Sequence, residues 1–439
     1  MEPTFNITGK HVAVFGAGRS GFAAAKLALH HGARVSIWDQ AGENVFGDLP
    51  DGIEIHPHLS ISDADEFAAD FMVLSPGIDT YSPLVKAFSA KAHLIGETDF
   101  ASRFYHGGII GITGTNGKTT TTELVSRMLG EAGMGGQACG NYGIPLSEVV
   151  MGQSVPKAVA LELSSFQLET IETLHPHVSV WLNFAPDHMD RYPTVEAYKR
   201  AKLRIFEHQD QQDIAVVRYG EDIGSINPER ITFSTECQDA DFHSNGKTIL
   251  YRGVPFIDLE TETALRGLHN AENAMAAIAA CMAFGIDQSS IVSGLRGYTP
   301  PPHRCEWVRT LDGVEYLNDS KATNLHALQC ALRSLDRPVV LIAGGKDKGL
   351  DYSEVLPYLK QRALSAVTFG EIARPLADLF ETVVPTTTVA TLEEAVHHAR
   401  SVAPRGSTVL LSPGTSSFDQ FKGYEHRGNV FRDIVHHLF

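Results

Sequence analysis

The sequence predicts an α/β fold of three successive domains, and three observations carry that prediction. Apolar runs of strand length alternate with helical stretches along most of the chain. Two glycine-rich segments each stand between a strand and a helix. A run of three prolines in "YTPPPHR", Tyr298 to Arg304, interrupts the alternation, because consecutive prolines can neither continue a helix nor join a central strand. The domains are accordingly expected at 1–98, 99–300 and 301–439, a number that suits a chain of 439 residues.

The first domain opens with "HVAVFG", a buried strand, followed by "SGFAAAKLALHHG", a helix ending at Gly32, and by "RVSIWD" and "DFMVLSPG", two more strands. The second opens with "GGIIGITGTNGKTTTTELVSRMLGEAG", which reads as strand, loop and helix. "KAVALELSSF" and "VSVWLNF" add buried strands. From about Asp210 to Leu265 the pattern turns shorter and more polar, as β-rich excursions do. "LHNAENAMAAIAACMAFG" is then a strong helix. After the prolines, "VEYLND", "PVVLIAGG", "AVTFG" and "STVLLSPG" are strands with helical segments between them.

The motifs carry the chemistry. "GAGRSG", Gly16 to Gly21, follows a strand and opens a helix, and Asp39 ends the next strand. This is the G-x-G-x-x-G pattern, read alone as a site for NAD; physically it lets backbone amides approach a diphosphate on any nucleotide. "TGTNGKTT" is a compact relative of the Walker A loop. Gly114 and Gly117 serve its turn, Lys118 suits β/γ-phosphates, and the Thr119 hydroxyl suits Mg²⁺. Glu162 ends an apolar strand, where a carboxylate is costly unless paired or bound to a cation. "NFAPDHMDRYP" gathers Asp187, His188, Asp190 and Arg191 after the next strand, where open α/β sheets bind ligands. Asn270 and Asn273 stand at i, i+3 on a helix start, suited to adenine or to capping. Arg304, Asp319 and Lys321 flank the first strand of the third domain, with charges suited to a nucleotide, a metal and a phosphate.

"TVEAYKRAKLRIFE", Thr194 to Glu207, reads as a helix capped by Thr194. Val195, Tyr198, Lys202 and Phe206 share one stripe, while Lys199, Arg200 and Arg204 reach water from the sides. By periodicity Lys202 is a lysine that snorkels, its stem covering Tyr198 and Phe206.

Composition narrows the functional classes. An apolar fraction of 43% with 20% charged residues describes an ordinary globular chain. A formal net charge of −16 argues against non-specific nucleic-acid binding and against an anionic membrane surface. The five cysteines, an odd count without C-x-x-C spacing, read as free thiols. "MEPTFNITGKHVAVFGAG" has no basic stretch before an apolar one, so no signal peptide is expected, and "NAMAAIAACMAFGI" is too short to span a bilayer. A cytoplasmic enzyme without membrane insertion is the expectation.

Taken together and in this order, "GTNGKTT", "LELSSFQLE", "NFAPDHMDRY", "HNAEN", "PHRCE" and "NDSKATN" resemble the Mur ligase family of ATP-dependent amino-acid ligases, over the whole chain. "VLSPGI" and "LLSPGTSSFDQFKGYEHRG" narrow the resemblance to members that add D-glutamate to UDP-N-acetylmuramoyl-L-alanine. The resemblance implies a Rossmann-like first domain that holds UDP rather than NAD, a P-loop-type mononucleotide-binding second domain, and a Rossmann-like third domain that binds the amino acid and contributes to the ATP site. It assigns Gly18, Arg19, Ser20, Asp39, Gln40 and Ser75 to the UDP-sugar, with Asn141 and His188 reaching it from the central domain. Where one relative has Thr-Arg after the aspartate, this chain reads Gln40-Ala41. ATP falls to Gly114, Thr115, Asn116, Gly117, Lys118, Thr119 and Thr120, with Asn270, Asn273, Arg304 and Asp319. Lys321, Thr323, Lys348, Ser417, Phe418 and Tyr424 fall to the amino acid. Two Mg²⁺ ions are implied, at Thr119, Glu162, His188 and Lys202. Lys202 matches the lysine the family carbamylates with CO₂, and Lys118, Glu162, His188 and Lys202 form the implied catalytic set. A monomer is expected.

Overall fold

A computed structural model describes residues 5–47, 49–189, 191–335 and 337–439. The chain forms two compact units: Met1–Phe184, Thr194–His243 and Asn273–Gly297 make the first, and Ala185–Pro193, Ser244–Glu272 and Tyr298–Phe439 the second.

The first unit begins with a five-stranded sheet. Its strands are β1 (His11–Phe15), β2 (Arg34–Trp38), β3 (Ile53–His56), β4 (Phe71–Leu74) and β5 (His93–Gly96), in the order β3-β2-β1-β4-β5 and all parallel. Helix Arg19–His30 joins β1 to β2 and buries Ala23, Ala24, Ala25, Leu27 and Ala28. Gly21 permits the close approach: a Cβ there would lie 1.9 Å from the Gly16 carbonyl oxygen.

The same unit carries β6 (Gly108–Thr113), β7 (Gln137–Gly140), β8 (Ala158–Glu162), β9 (Val178–Trp181), β10 (Ile214–Arg218), β11 (Glu229–Ser234) and β12 (Phe242–Ser244). Their spatial order is β12-β11-β10-β9-β6-β8-β7, again parallel. Every residue of β8 is buried, as expected of a parallel strand covered on both faces. In register, Ile112 of β6 lies opposite both Glu162 of β8 and Val180 of β9. Three strand ends therefore meet at one edge, and each runs into a motif singled out above.

The second unit contains the hairpin β13 (Thr248–Tyr251) and β14 (Val254–Asp258), which bears out the β-rich reading of this stretch. It also contains β15 (Glu306–Leu311), β16 (Val314–Asn318), β17 (Val339–Gly344), β18 (Ala363–Phe369), β19 (Thr386–Thr388) and β20 (Thr408–Leu411). Their order is β15-β16-β20-β17-β18-β19, antiparallel only between β15 and β16. Helix Leu268–Ala283 forms where the apolar run predicts one.

Candidate active site

β6 delivers the chain into the loop Gly114–Gly117, and helix Lys118–Glu131 follows. Gly117 caps the helix with φ +86°, a conformation that L side chains avoid, and a Cβ there would meet the Asn273 Oδ1 at 2.2 Å. Asn273 thus packs against the loop's bare side. The first intrahelical bond runs from Thr121 N to Gly117 O, so the amides of Lys118, Thr119 and Thr120 have no carbonyl one turn back within the helix. These are the amides a helix N-terminus offers to an anion. The amides of Thr115 and Asn116 are turned elsewhere: Thr115 N donates to Asn183 O at 2.9 Å, and Asn116 N donates to Asn183 Oδ1 at 2.9 Å. Asn183 was present in the quoted "NFAPDHMDRY" but attracted no role from sequence, since nothing in its spacing says which loop it meets. Lys118 Nζ donates to Gly114 O at 2.9 Å and Thr115 O at 3.0 Å.

Glu162, at the C-terminal end of β8, is 2% exposed. Asn141, just beyond β7, donates from Nδ2 to Glu162 Oε1 at 2.7 Å, and its amide donates to the Glu162 carbonyl. Oε2 is buried and, among the described residues, accepts no hydrogen bond. An anionic oxygen held in that state is the kind of donor a hard cation completes. Among the described residues no three His, Cys, Asp or Glu side chains gather into a metal cage.

Helix Val195–Leu203 forms as expected, with Thr194 Oγ1 accepting from Ala197 N at 3.1 Å. Lys202, however, does not snorkel. It is 1% exposed, its Nζ donates to Gly114 O at 2.9 Å, and it stands 4.9 Å from the Tyr198 ring centre. Lys118 and Lys202 therefore converge on a single carbonyl oxygen of the phosphate loop. Arg204 reaches further than its place at the side of the helix implies: besides its pair with Glu207, its guanidinium donates to the carbonyls of Leu168, Glu169 and Ile171.

At the β1 loop, Gly18 and Arg19 are exposed, Ser20 is half-buried and Gln40 is exposed. Asp39 accepts the Ala17 amide at 2.7 Å on one oxygen and the Ala41 amide at 2.8 Å on the other, so it shapes both loops. Ser75 is buried and donates weakly to Gly16 O at 3.4 Å. Arg19 makes a two-pronged pair with Glu148, both contacts 3.1 Å, and donates to Gly143 O at 3.1 Å.

In the second unit, Asp187 is the hub of a buried cluster. Lys348 Nζ donates to its Oδ1 at 3.0 Å and Asn324 Nδ2 to its Oδ2 at 3.2 Å. Burial works against ionisation, yet the charges of Lys348 and His188 hold the Asp187 carboxyl below its ordinary range. His188 follows with φ +57°, its amide donating to Asp187 Oδ1, and Lys348 also donates to the Thr323 carbonyl. Asp190 lies outside the described residues. Arg304 sits between two residues of positive φ, His303 at +67° and Cys305 at +46°. Asp319 accepts from Cys305 N at 3.2 Å and Ser412 Oγ at 2.8 Å, and burial pushes its carboxyl up to about 7. Lys321 Nζ stands 3.7 Å from the Tyr424 ring centre. Ser417 is buried, Phe418 is 68% exposed, and Asn270 Nδ2 donates to the Arg266 carbonyl. Arg427, which the sequence reading passed over, is fully buried; it donates to Ser320 Oγ and to the Ser320, Thr415 and Ser416 carbonyls, tying together the segments that carry Lys321 and Ser417.

Residues 112–281 match the family description "Mur ligase middle domain", and residues 303–414 match "Mur ligase, glutamate ligase domain". The UDP-N-acetylmuramoylalanine--D-glutamate ligase of Geobacter metallireducens is 38% identical, over 98% of this chain and 98% of that protein. The protein of the same name from Myxococcus xanthus is 37% identical, over 99% of this chain and 100% of that one. Among solved structures, a pseudomurein peptide ligase type C from Methanothermus fervidus superposes with a TM-score of 0.59 at 19% identity, covering 97% of this chain and 99% of that one. The UDP-N-acetylmuramate-alanine ligase from Thermotoga maritima gives 0.59 at 17% identity, with coverages of 97% and 99%. At such identities the structural likeness concerns the fold alone.

Proposed function

The chain belongs to the Mur ligase family, and from that premise we propose that it joins D-glutamate to UDP-N-acetylmuramoyl-L-alanine with hydrolysis of ATP to ADP and phosphate, a step of peptidoglycan precursor synthesis. Likeness over the full chain supports the activity. One observation of the site carries its mechanism: the buried, unpartnered Glu162 Oε2 stands at the strand end beside the phosphate loop.

The alanyl carboxylate takes the γ-phosphoryl group of ATP, giving an acyl phosphate and ADP. The amine of D-glutamate then attacks the acyl carbon and phosphate leaves. Two anions meet in the first step, so neutralising their charge is the main task. The amides of Lys118, Thr119 and Thr120 and the Lys118 ammonium hold the phosphates. Asn273 backs the loop, while Asn270, Arg304 and Asp319 serve the nucleotide. Thr119, Glu162, His188 and a carbamylated Lys202 would hold two Mg²⁺ ions, whose chemistry is to polarise the phosphoryl oxygens and offset their charge. Asn141 fixes the Glu162 carboxylate so that Oε2 keeps its aim.

Lys202 is suited to carbamylation. It is 1% exposed and reaches the phosphate loop beside the Tyr198 ring. The amine nitrogen bonds the carbon of CO₂, an electron pair moves onto oxygen, and a proton leaves to solvent; a cation becomes an anion. The UDP-sugar falls to Gly18, Arg19, Ser20, Asp39, Gln40, Ser75, Asn141 and His188. D-glutamate falls to Lys321, Thr323, Lys348, Ser417, Phe418 and Tyr424, with the two lysines meeting its carboxylates and the transferred phosphate.

Among the described residues no helix is long and apolar enough to cross a membrane. We place the protein in the cytoplasm, where ATP is available and its five free cysteines stay reduced, and we take it to act as a monomer. The test is ATP-dependent phosphate release with each substrate omitted in turn, followed by L-glutamate or L-lysine in place of D-glutamate. Full turnover without an amino acid would sink the assignment.

A further inference from the structure

Two backbone amides of the phosphate loop are bonded within the protein, and both go to Asn183, one to its main chain and one to its side chain. Asn183 leaves β9 and meets the loop edge-on. Its carboxamide bonds both ends of the Asn116 residue: Asn116 N donates to Oδ1 at 2.9 Å, and Nδ2 donates to Asn116 O at 3.1 Å. Its own carbonyl takes the Thr115 amide at 2.9 Å. The arrangement imitates one rung of a β-ladder, with a side chain in place of a strand. It leaves the loop little room, since a Cβ on Gly114 would meet Leu182 Cβ at 2.8 Å and Asn183 N at 3.2 Å. Only an amide of this length both donates and accepts across that distance; aspartate loses the donor, alanine loses both groups, and glutamine adds a methylene.

We infer that Asn183 is a positioning residue of the phosphate loop: its main-chain carbonyl takes the Thr115 amide whatever the side chain, while its carboxamide binds both polar ends of Asn116 and so holds the loop in the conformation that brings Gly117 to φ +86° and lets the amides of Lys118, Thr119 and Thr120 form the phosphate cradle. Lys118 and Lys202 bond the Gly114 carbonyl of the same loop.

The inference rests on reading Gly114–Thr119 as the ATP loop, and the experiment tests that reading separately. Mg·ADP binding to the wild-type protein is measured by calorimetry, then to Asn183→Ala and to the near-isosteric Asn183→Asp. KM for ATP, for the UDP-sugar and for D-glutamate is measured alongside. The expected result is at least 10-fold weaker Mg·ADP binding and an equal rise in KM for ATP, with KM for the other two substrates within 2-fold of wild type. Asn183→Asp is expected to show this with its unfolding midpoint unchanged, which separates positioning from folding. If the wild type binds Mg·ADP and both variants bind it as tightly, or if all three KM values rise together, the positioning role is overturned while the ATP-loop reading stands. If the wild type itself binds no Mg·ADP, the underlying reading falls and this inference with it.

Discussion

Replacing Lys202 by methionine separates a structural lysine from a catalytic anion. The side chain is 1% exposed, so methionine of similar length fills the same space. The change removes the bond from Nζ to Gly114 O, a loss of about 1–3 kcal/mol for a charged donor. Lys202→Met should therefore lower stability by no more than about 3 kcal/mol, read from the urea midpoint at constant m. Activity should not survive as stability does. If the carbamate holds the metal, phosphate release in the presence of all three substrates should fall roughly 100-fold or more. Lys202→Ala should fall similarly, and acetate, which supplies a carboxylate to the space left behind, should restore part of the rate. Turnover above half of wild type in Lys202→Met or Lys202→Arg refutes the reasoning, because neither side chain can become a carbamate.

Three further outcomes follow from single contacts. Glu162→Gln removes the charge from a buried oxygen without a partner; it should raise the Mg²⁺ concentration for half-maximal activity at least roughly 10-fold while leaving the unfolding midpoint unchanged or higher, and an unaltered Mg²⁺ dependence contradicts the assignment. Gly117→Ala imposes φ +86° on a residue with a Cβ and drives that atom into Asn273, so it should cost about 1–3 kcal/mol and abolish Mg·ADP binding, which calorimetry detects. Asp319 titrates near 7 in the folded protein, against 3.8 ordinarily, because burial disfavours its charge. The folded state then holds the extra proton, so this contribution is fully present below about pH 4 and is lost as pH rises through about 7, up to about 4 kcal/mol in all. Asp319→Asn should flatten the fall in urea midpoint between pH 5 and 8, and an equal slope in both proteins contradicts the buried-carboxyl argument.

How far the site was legible varies residue by residue. Lys118 and Gly117 were readable because a phosphate loop is local: the donors, the turn and the helix start lie within a few residues. Glu162 was readable as costly, since a carboxylate ending an apolar strand needs compensation whatever its neighbours are. Lys202 was readable as odd: periodicity alone favours a snorkelling lysine, and the resemblance favours a carbamylated one. Periodicity locates it on the apolar stripe, yet only the packing of its helix against the β6 loop shows that Nζ finds a carbonyl instead of water. Arg204 was readable only in part, since Glu207 is a local partner while the carbonyls it also meets lie more than thirty positions earlier in the chain. Asn183 and Arg427 went unread altogether, because a side chain that bonds backbone carries no motif.

By itself, then, the sequence determined the α/β alternation, the two glycine-rich turns and the family, all properties of short-range pattern or of ordered motifs. The tertiary structure alone decided which loop amides face outward, that Glu162 keeps one oxygen without a partner, and that two lysines share the Gly114 carbonyl. Those facts depend on β6, β8 and β9 ending side by side in register, and hydrogen bonds between strand ends are set by sheet order, which no local spacing encodes.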